Sequence, residues 1–142
     1  MKKIAAFALA AVLVCATLAG CAQKDETYKD GTYTKSTEVD SHGSSYELTL
    51  KVKDGKIDDV DFVAYTQDEN GNKVVKDENY GKGSTEENYA AAQAALAKLN
   101  TFAEQYMKNG GNLDDVDDTA GATSSFNAFK TLLEEALSEA KK

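Results

Sequence analysis

Between residues 46 and 53 the chain alternates. Tyr46, Leu48, Leu50 and Val52 are apolar, and Glu47, Thr49, Lys51 and Lys53 between them are polar. Successive side chains of a strand point to opposite faces, so this pattern predicts a strand with one buried face. Asp54-Gly55 follows, a dipeptide suited to the positive φ angles of a two-residue hairpin turn. Val60, Phe62 and Ala64 resume the period of two on the return. Ile57 is out of phase with them, which predicts a bulge or an early turn around Asp58-Asp59. Upstream, Thr32 to Val39 is a Thr-, Tyr- and Val-rich strand pattern, joined on by a loop from Asp40 to Ser45 that contains Gly43. The expectation is an antiparallel meander of three or more strands.

Further along, the period changes from two to three-four. Ser84, with Glu87 three residues on, has the form of a capping box. Tyr89, Ala92, Leu96, Leu99, Ala103 and Tyr106 form one stripe with Phe102 beside it, and Asn109-Gly110-Gly111 stops the helix. The stripe reads as core. Phe126, Phe129, Leu133, Ala136 and Ala140 predict a last helix over about 125–141, with Leu132 and Leu137 alongside. Asp68-Glu69-Asn70-Gly71-Asn72 is a turn, and residues 74–83 carry no assignable pattern. Strands first and helices after predict an α+β fold, a meander packed against two helices.

Composition narrows the function. The 142 residues hold 16 basic side chains, all lysine, against 24 acids, for a net charge of −8. A chain with no arginine and no basic stripe is a poor binder of nucleic acid. One histidine, His42 in a Gly/Ser loop, makes a hydrolase triad a poor reading, and two cysteines exclude most zinc or iron–sulfur designs. The acidic run Asp114-Asp115-Val116-Asp117-Asp118 lacks the spacing and the closing glutamate of a calcium loop, and it reads as a solvated loop with no metal.

The N-terminus reads as an address. Lys2 and Lys3 precede an apolar run from Ile4 to Ala19, too short to span a bilayer and suited to a secretory signal. It ends in Leu18-Ala19-Gly20-Cys21, which resembles the bacterial lipobox, in which the cysteine is acylated and becomes the new N-terminus. The expected organisation is a signal peptide over 1–20, a polar tether over 21–29 and a single domain over 30–142. On this reading Cys15 leaves with the signal and Cys21 carries lipid. The chain from Cys21 onward then has a charge of −10, so the acyl chains, at about 0.8 kcal/mol per buried CH₂, hold it to the extracytoplasmic face of the cell membrane.

One segment carries candidate chemistry. Val116-Asp117-Asp118-Thr119-Ala120-Gly121-Ala122-Thr123-Ser124-Ser125 narrows to small residues just before a helix start. Gly121 and Ala122 leave backbone uncovered, three hydroxyls follow at Thr123, Ser124 and Ser125, and the first helical turn offers unpaired N–H groups to an anion. An ordinary helix cap by Ser124 or Ser125 explains the same residues.

The segment resembles the signature of FMN-binding domains: an Asp, then Ser/Thr-Gly-Ala-Thr, a further hydroxyl and a helix. Asp30-Gly31-Thr32-Tyr33 and Val52-Lys53-Asp54-Gly55-Lys56-Ile57 resemble that family's first hairpin, and the chain is similar to the short lipoproteins described as major membrane immunogens. The resemblance implies a flavoprotein with FMN as cofactor at Asp117, Gly121, Ala122, Thr123, Ser124 and Ser125. It also implies a flavin transferase as partner that joins the FMN phosphate to Thr123. The chain departs from the pattern at Ala120, where the family carries Ser or Thr. Phosphoester-linked FMN, noncovalent FMN and a domain that has lost the cofactor therefore all stay open. Tyr33, Tyr46, Tyr65, Tyr80 and Phe126 are candidates to face the flavin ring. No residue has the look of a substrate acid or base, which suits a redox carrier served by a membrane donor. The alternative function is a cofactor-free surface lipoprotein, an interaction module or antigen.

Overall fold

The structure is a computed structural model and describes residues 27–118 and 121–141. The expected signal peptide, Cys21, most of the tether and Ala120 lie outside the described residues. Four strands, β1 (Gly31–Ser36), β2 (Ser45–Lys53), β3 (Lys56–Gln67) and β4 (Lys73–Val75), form one antiparallel sheet in sequence order. Helices α1 (Glu86–Leu99), α2 (Phe102–Lys108) and α3 (Thr123–Ala140) follow, with a 3₁₀ turn at Leu113–Asp115 before α3. The fold is α+β, as the order of periods predicts.

The hairpin geometry follows from local chemistry. Asp54 and Gly55 take φ angles of 53° and 75°, the left-handed values that a tight β2–β3 turn needs. The Asp30 carboxylate accepts the amides of both, at 3.1 and 2.8 Å, and so clips the start of β1 to this turn. Lys51 faces Asp59 while Val52 faces Ile57, which leaves Asp58 as the bulged residue. The bulge lets both Ile57 and Val60 point inward, and this explains the broken phase.

The unassigned stretch acquires a strand, and three local expectations are corrected. β4 arises where no pattern was assignable: the Asp68 carboxylate accepts the amides of Asn70 and Asn72 at 2.9 and 2.8 Å, and the turn it closes brings Lys73–Val75 back onto β3. The single helix expected from Ser84 is two, because the Thr101 hydroxyl donates to Lys98 O at 2.7 Å and competes with the helical ladder at Asn100-Thr101. Its cap is Thr85, which accepts from Asn88 N at 3.2 Å, while Ser84 donates instead to Gly81 O. The last helix begins at Thr123, two residues early, so Ser124 and Ser125 lie in its first turn and neither caps it.

Leu48, Leu50, Val52, Val60, Phe62 and Ala64 put the sheet's inner face under the helices. Phe129 of α3 is fully buried at the centre, with its ring centroid 5.2 Å from Phe62, 5.8 Å from Phe102 and 6.3 Å from Tyr106. Burying one such side chain contributes about 1.5–3 kcal/mol. The C-terminal end of α3 meets the chain's entry, where Lys29 N donates to Ala140 O at 2.7 Å and Tyr28 pairs with Lys141.

Candidate functional site

The other end of α3 opens on a cavity of about 480 Å³. Tyr46 and Ala64 of the sheet form one wall, and Ala92, Ala95, Leu96 and Leu99 of α1 form another. Gly121 to Ser125 close one side, and Lys76 and Tyr80 border it from the segment after β4. That segment is strapped to α1. Gln93 Nε2 donates to Asp77 O at 3.2 Å and to Tyr80 O at 2.9 Å, and the Tyr89 hydroxyl donates to Glu78 O at 2.7 Å.

The helix start is the polar part of the cavity. The first helical hydrogen bond of α3 runs from Phe126 N to Ala122 O at 2.8 Å, so the amides of Thr123, Ser124 and Ser125 have no acceptor within the helix. Ala122 occupies the cap position and has no side-chain oxygen to satisfy them. Ala122 is buried and pins the loop to the core, while Gly121 turns the chain at φ 102°. Thr123 and Ser124 are exposed. Ser125 is half-buried, with its Oγ 3.1 Å from the Tyr46 hydroxyl.

The structure therefore brings Gly121, Ala122, Thr123, Ser124 and Ser125 to one cavity, and it places Asp117 elsewhere. The Asp117 carboxylate accepts from Lys98 Nζ at 2.9 Å, and its amide donates to Gln105 Oε1 at 2.8 Å, which turns the residue toward α1 and α2. Of the aromatic candidates, Tyr46 and Tyr80 line the cavity. Tyr33 donates to Lys29 O, Tyr65 lies on the sheet's outer face beside Glu47 and Lys73, and Phe126 packs edge-on against Phe102 in the core. His42 is exposed in its loop.

Sequence reasoning missed two features of the site. Lys76 lies in the stretch without a pattern, and no local signal marks it. Ala92, Leu96 and Leu99 read as core, yet they also wall the cavity. The run of alanines beside them was the available clue, since small side chains leave room.

A volume near 480 Å³ lies inside the range of about 300–1,000 Å³ typical of cofactor sites. An apolar and tyrosine-lined wall suits a flat aromatic ring, and uncapped amides beside a lysine suit a phosphate. A larger cleft of about 760 Å³ between β3 and α2 carries four acids, Asp58, Asp59, Asp61 and Glu104, against the one lysine Lys108, and this excess of negative charge disfavours an anionic cofactor.

The helix start and the tyrosine-lined cavity of this small α+β domain fit a ligand with a phosphate and an aromatic ring. Residues 41–138 match the model of the FMN-binding domain; the chain belongs to that family, and FMN is its cofactor. The chain is also similar to the crystal structure of the CPE2226 protein from Clostridium perfringens, with 29% identity and a TM-score of 0.60 over 80% of this chain and 88% of that one. No curated protein matches the chain.

Proposed function

We propose that this protein is a lipid-anchored, extracytoplasmic FMN carrier for electron transfer. The uncapped first turn of α3 at the edge of a tyrosine-lined cavity carries the reading. Gly121 to Ser125 would hold the phosphate, and Tyr46, Tyr80 and the α1 wall would hold the ring. Bound there, FMN supplies reversible one- and two-electron exchange. The chain's part is to fix the ring's position, exclude water from one side of it and balance the phosphate charge.

Thr123 is the residue for phosphoester attachment. It is exposed at the first position of α3, within reach of a flavin transferase. A covalent link suits the compartment, because a free cofactor outside the cell is diluted away and a chain of this charge does not attract a dianion from a distance. The missing hydroxyl at Ala120 favours noncovalent FMN as the second reading.

Anchoring falls to Cys21, and a membrane redox donor would be the partner. The chain enters the domain at the C-terminal end of α3 and the cavity lies at its N-terminal end. An 18-residue helix is about 27 Å long. An anchor at Cys21 would thus present the cavity away from the lipid.

Intact-mass spectrometry of the native protein tests the reading. Acyl groups on Cys21 and a flavin mass on Thr123 are the expected adducts. Flavin that leaves on denaturation would select the noncovalent form. A protein that carries no flavin and takes up none from solution would favour the cofactor-free lipoprotein.

A further inference from the structure

Among the described residues the cavity wall carries one cationic side chain, Lys76, and the groups it touches directly are neutral. Lys76 Nζ donates to the Ser44 hydroxyl at 2.7 Å and lies 4.3 Å from the centroid of the Tyr80 ring. Lys76 is half-buried and Ser44 is buried. The ion pairs seen among the described residues join Lys35 to Glu139, Lys51 to Asp59, Lys73 to Glu47 and Lys98 to Asp117, and Lys76 takes part in none of them. Asp40 is close enough to feel its charge, but that carboxylate is already engaged by the amides of His42 and Ser44. Among the described residues, then, the direct contacts of this half-buried ammonium are a hydroxyl and an aromatic face, and Asp40 acts on it only through space, which leaves room for a closer anion to offset its desolvation.

Lys76 and the helix start line the same cavity and are linked through one wall of it. Lys76 N donates to Ala64 O at 2.9 Å, Ala64 stands opposite Tyr46 in the β2–β3 register, and the Tyr46 hydroxyl meets Ser125. We propose that Lys76 is the counter-cation of the FMN phosphate and acts with the open amides of Thr123 to Ser125. The proposal rests on the cavity being the FMN site. Ser44 and the Tyr80 ring hold the ammonium in place before the ligand arrives, which lowers the ordering cost of binding. The charge supplied here offsets locally what the acidic surface opposes at long range.

The test uses the full chain in detergent micelles, produced without a flavin transferase, and titrates it with FMN and with riboflavin by fluorescence quenching. Riboflavin has the ring without the phosphate. Wild type should prefer FMN. Lys76→Met should lower FMN affinity by about tenfold or more and flatten its salt dependence, while riboflavin affinity holds. Lys76→Arg should keep the preference for FMN. Ser44→Ala, which leaves the charge but frees its position, should reduce the preference by a smaller factor, and it serves if Lys76→Met fails to fold by circular dichroism. An unchanged FMN-to-riboflavin ratio in Lys76→Met overturns the assignment, as does an equal loss of both ligands, which would mark a structural role. A wild type that binds neither flavin overturns the reading of the cavity itself.

Discussion

The Tyr46 hydroxyl lies 3.1 Å from Ser125 Oγ, across 79 positions of sequence, and joins β2 to the first turn of α3. The same tyrosine ring stacks on Phe62 at 5.7 Å with 12° between the planes, and Phe62 meets Phe129 edge-on. The cavity wall is therefore continuous with the hydrophobic core. Tyr46→Phe keeps the stack and removes the hydrogen bond, so it should lower stability by about 0.5–1.5 kcal/mol in a urea titration. Ser125→Ala should do the same, and the double variant should cost little more than either alone, because both remove one bond.

Thr123→Ala should leave the fold intact and abolish the phosphoester. Thr123 is exposed and its side chain does not cap the helix, so the melting temperature should hold. Denatured protein from a host with a flavin transferase should show flavin mass for wild type and none for the variant. Covalent flavin that persists would move the attachment elsewhere.

Phe129→Ala should be severe. The side chain is fully buried among Phe62, Phe102 and Tyr106, and removing it leaves a cavity where sheet and helices meet. The expected loss is about 3–5 kcal/mol, read as a lower denaturation midpoint with the slope unchanged.

Acid should loosen the loop that supports Lys76. Backbone N–H donation from Ser44, then from His42, holds the Asp40 carboxyl below its ordinary value of 3.8. A carboxylate with a depressed folded value contributes stability that is fully present above 3.8, and it is lost as pH falls through the lower folded value. The Ser44 and His42 amide resonances should titrate together with a midpoint below 3.8, and Asp40→Asn should remove that titration. A midpoint at or above the ordinary value would contradict the hydrogen-bond geometry.

Much of this architecture is legible from local pattern. The alternation over 46–53, the Asp54-Gly55 turn and the out-of-phase Ile57 specify β2, β3 and the bulge between them, because a strand's side chains alternate and a single inserted residue breaks that phase. The stripes at Leu96–Tyr106 and Phe126–Ala140 specify helices for the same kind of reason. β4 is not legible. It has three exposed residues, and its pairing depends on the Asp68 turn rather than on burial. The break at Thr101 escapes too, because the apolar stripe runs straight through it.

The candidate site divides in the same way. Gly121 to Ser125 stand out in sequence because they are contiguous and their residue types suit an anion. Asp117 belongs to the same signature but turns toward Lys98 and Gln105, a choice made by side chains of the preceding helices. By itself, the sequence determined the α+β order, the inner face of the sheet and the phosphate-suited helix start, since each depends on neighbours a few residues apart. Only the tertiary structure decided that Tyr46, Tyr80 and Lys76 share the cavity with that start. Their proximity comes from strand register and a strap held to α1 by Gln93, and contacts of that range leave no periodic trace in the chain.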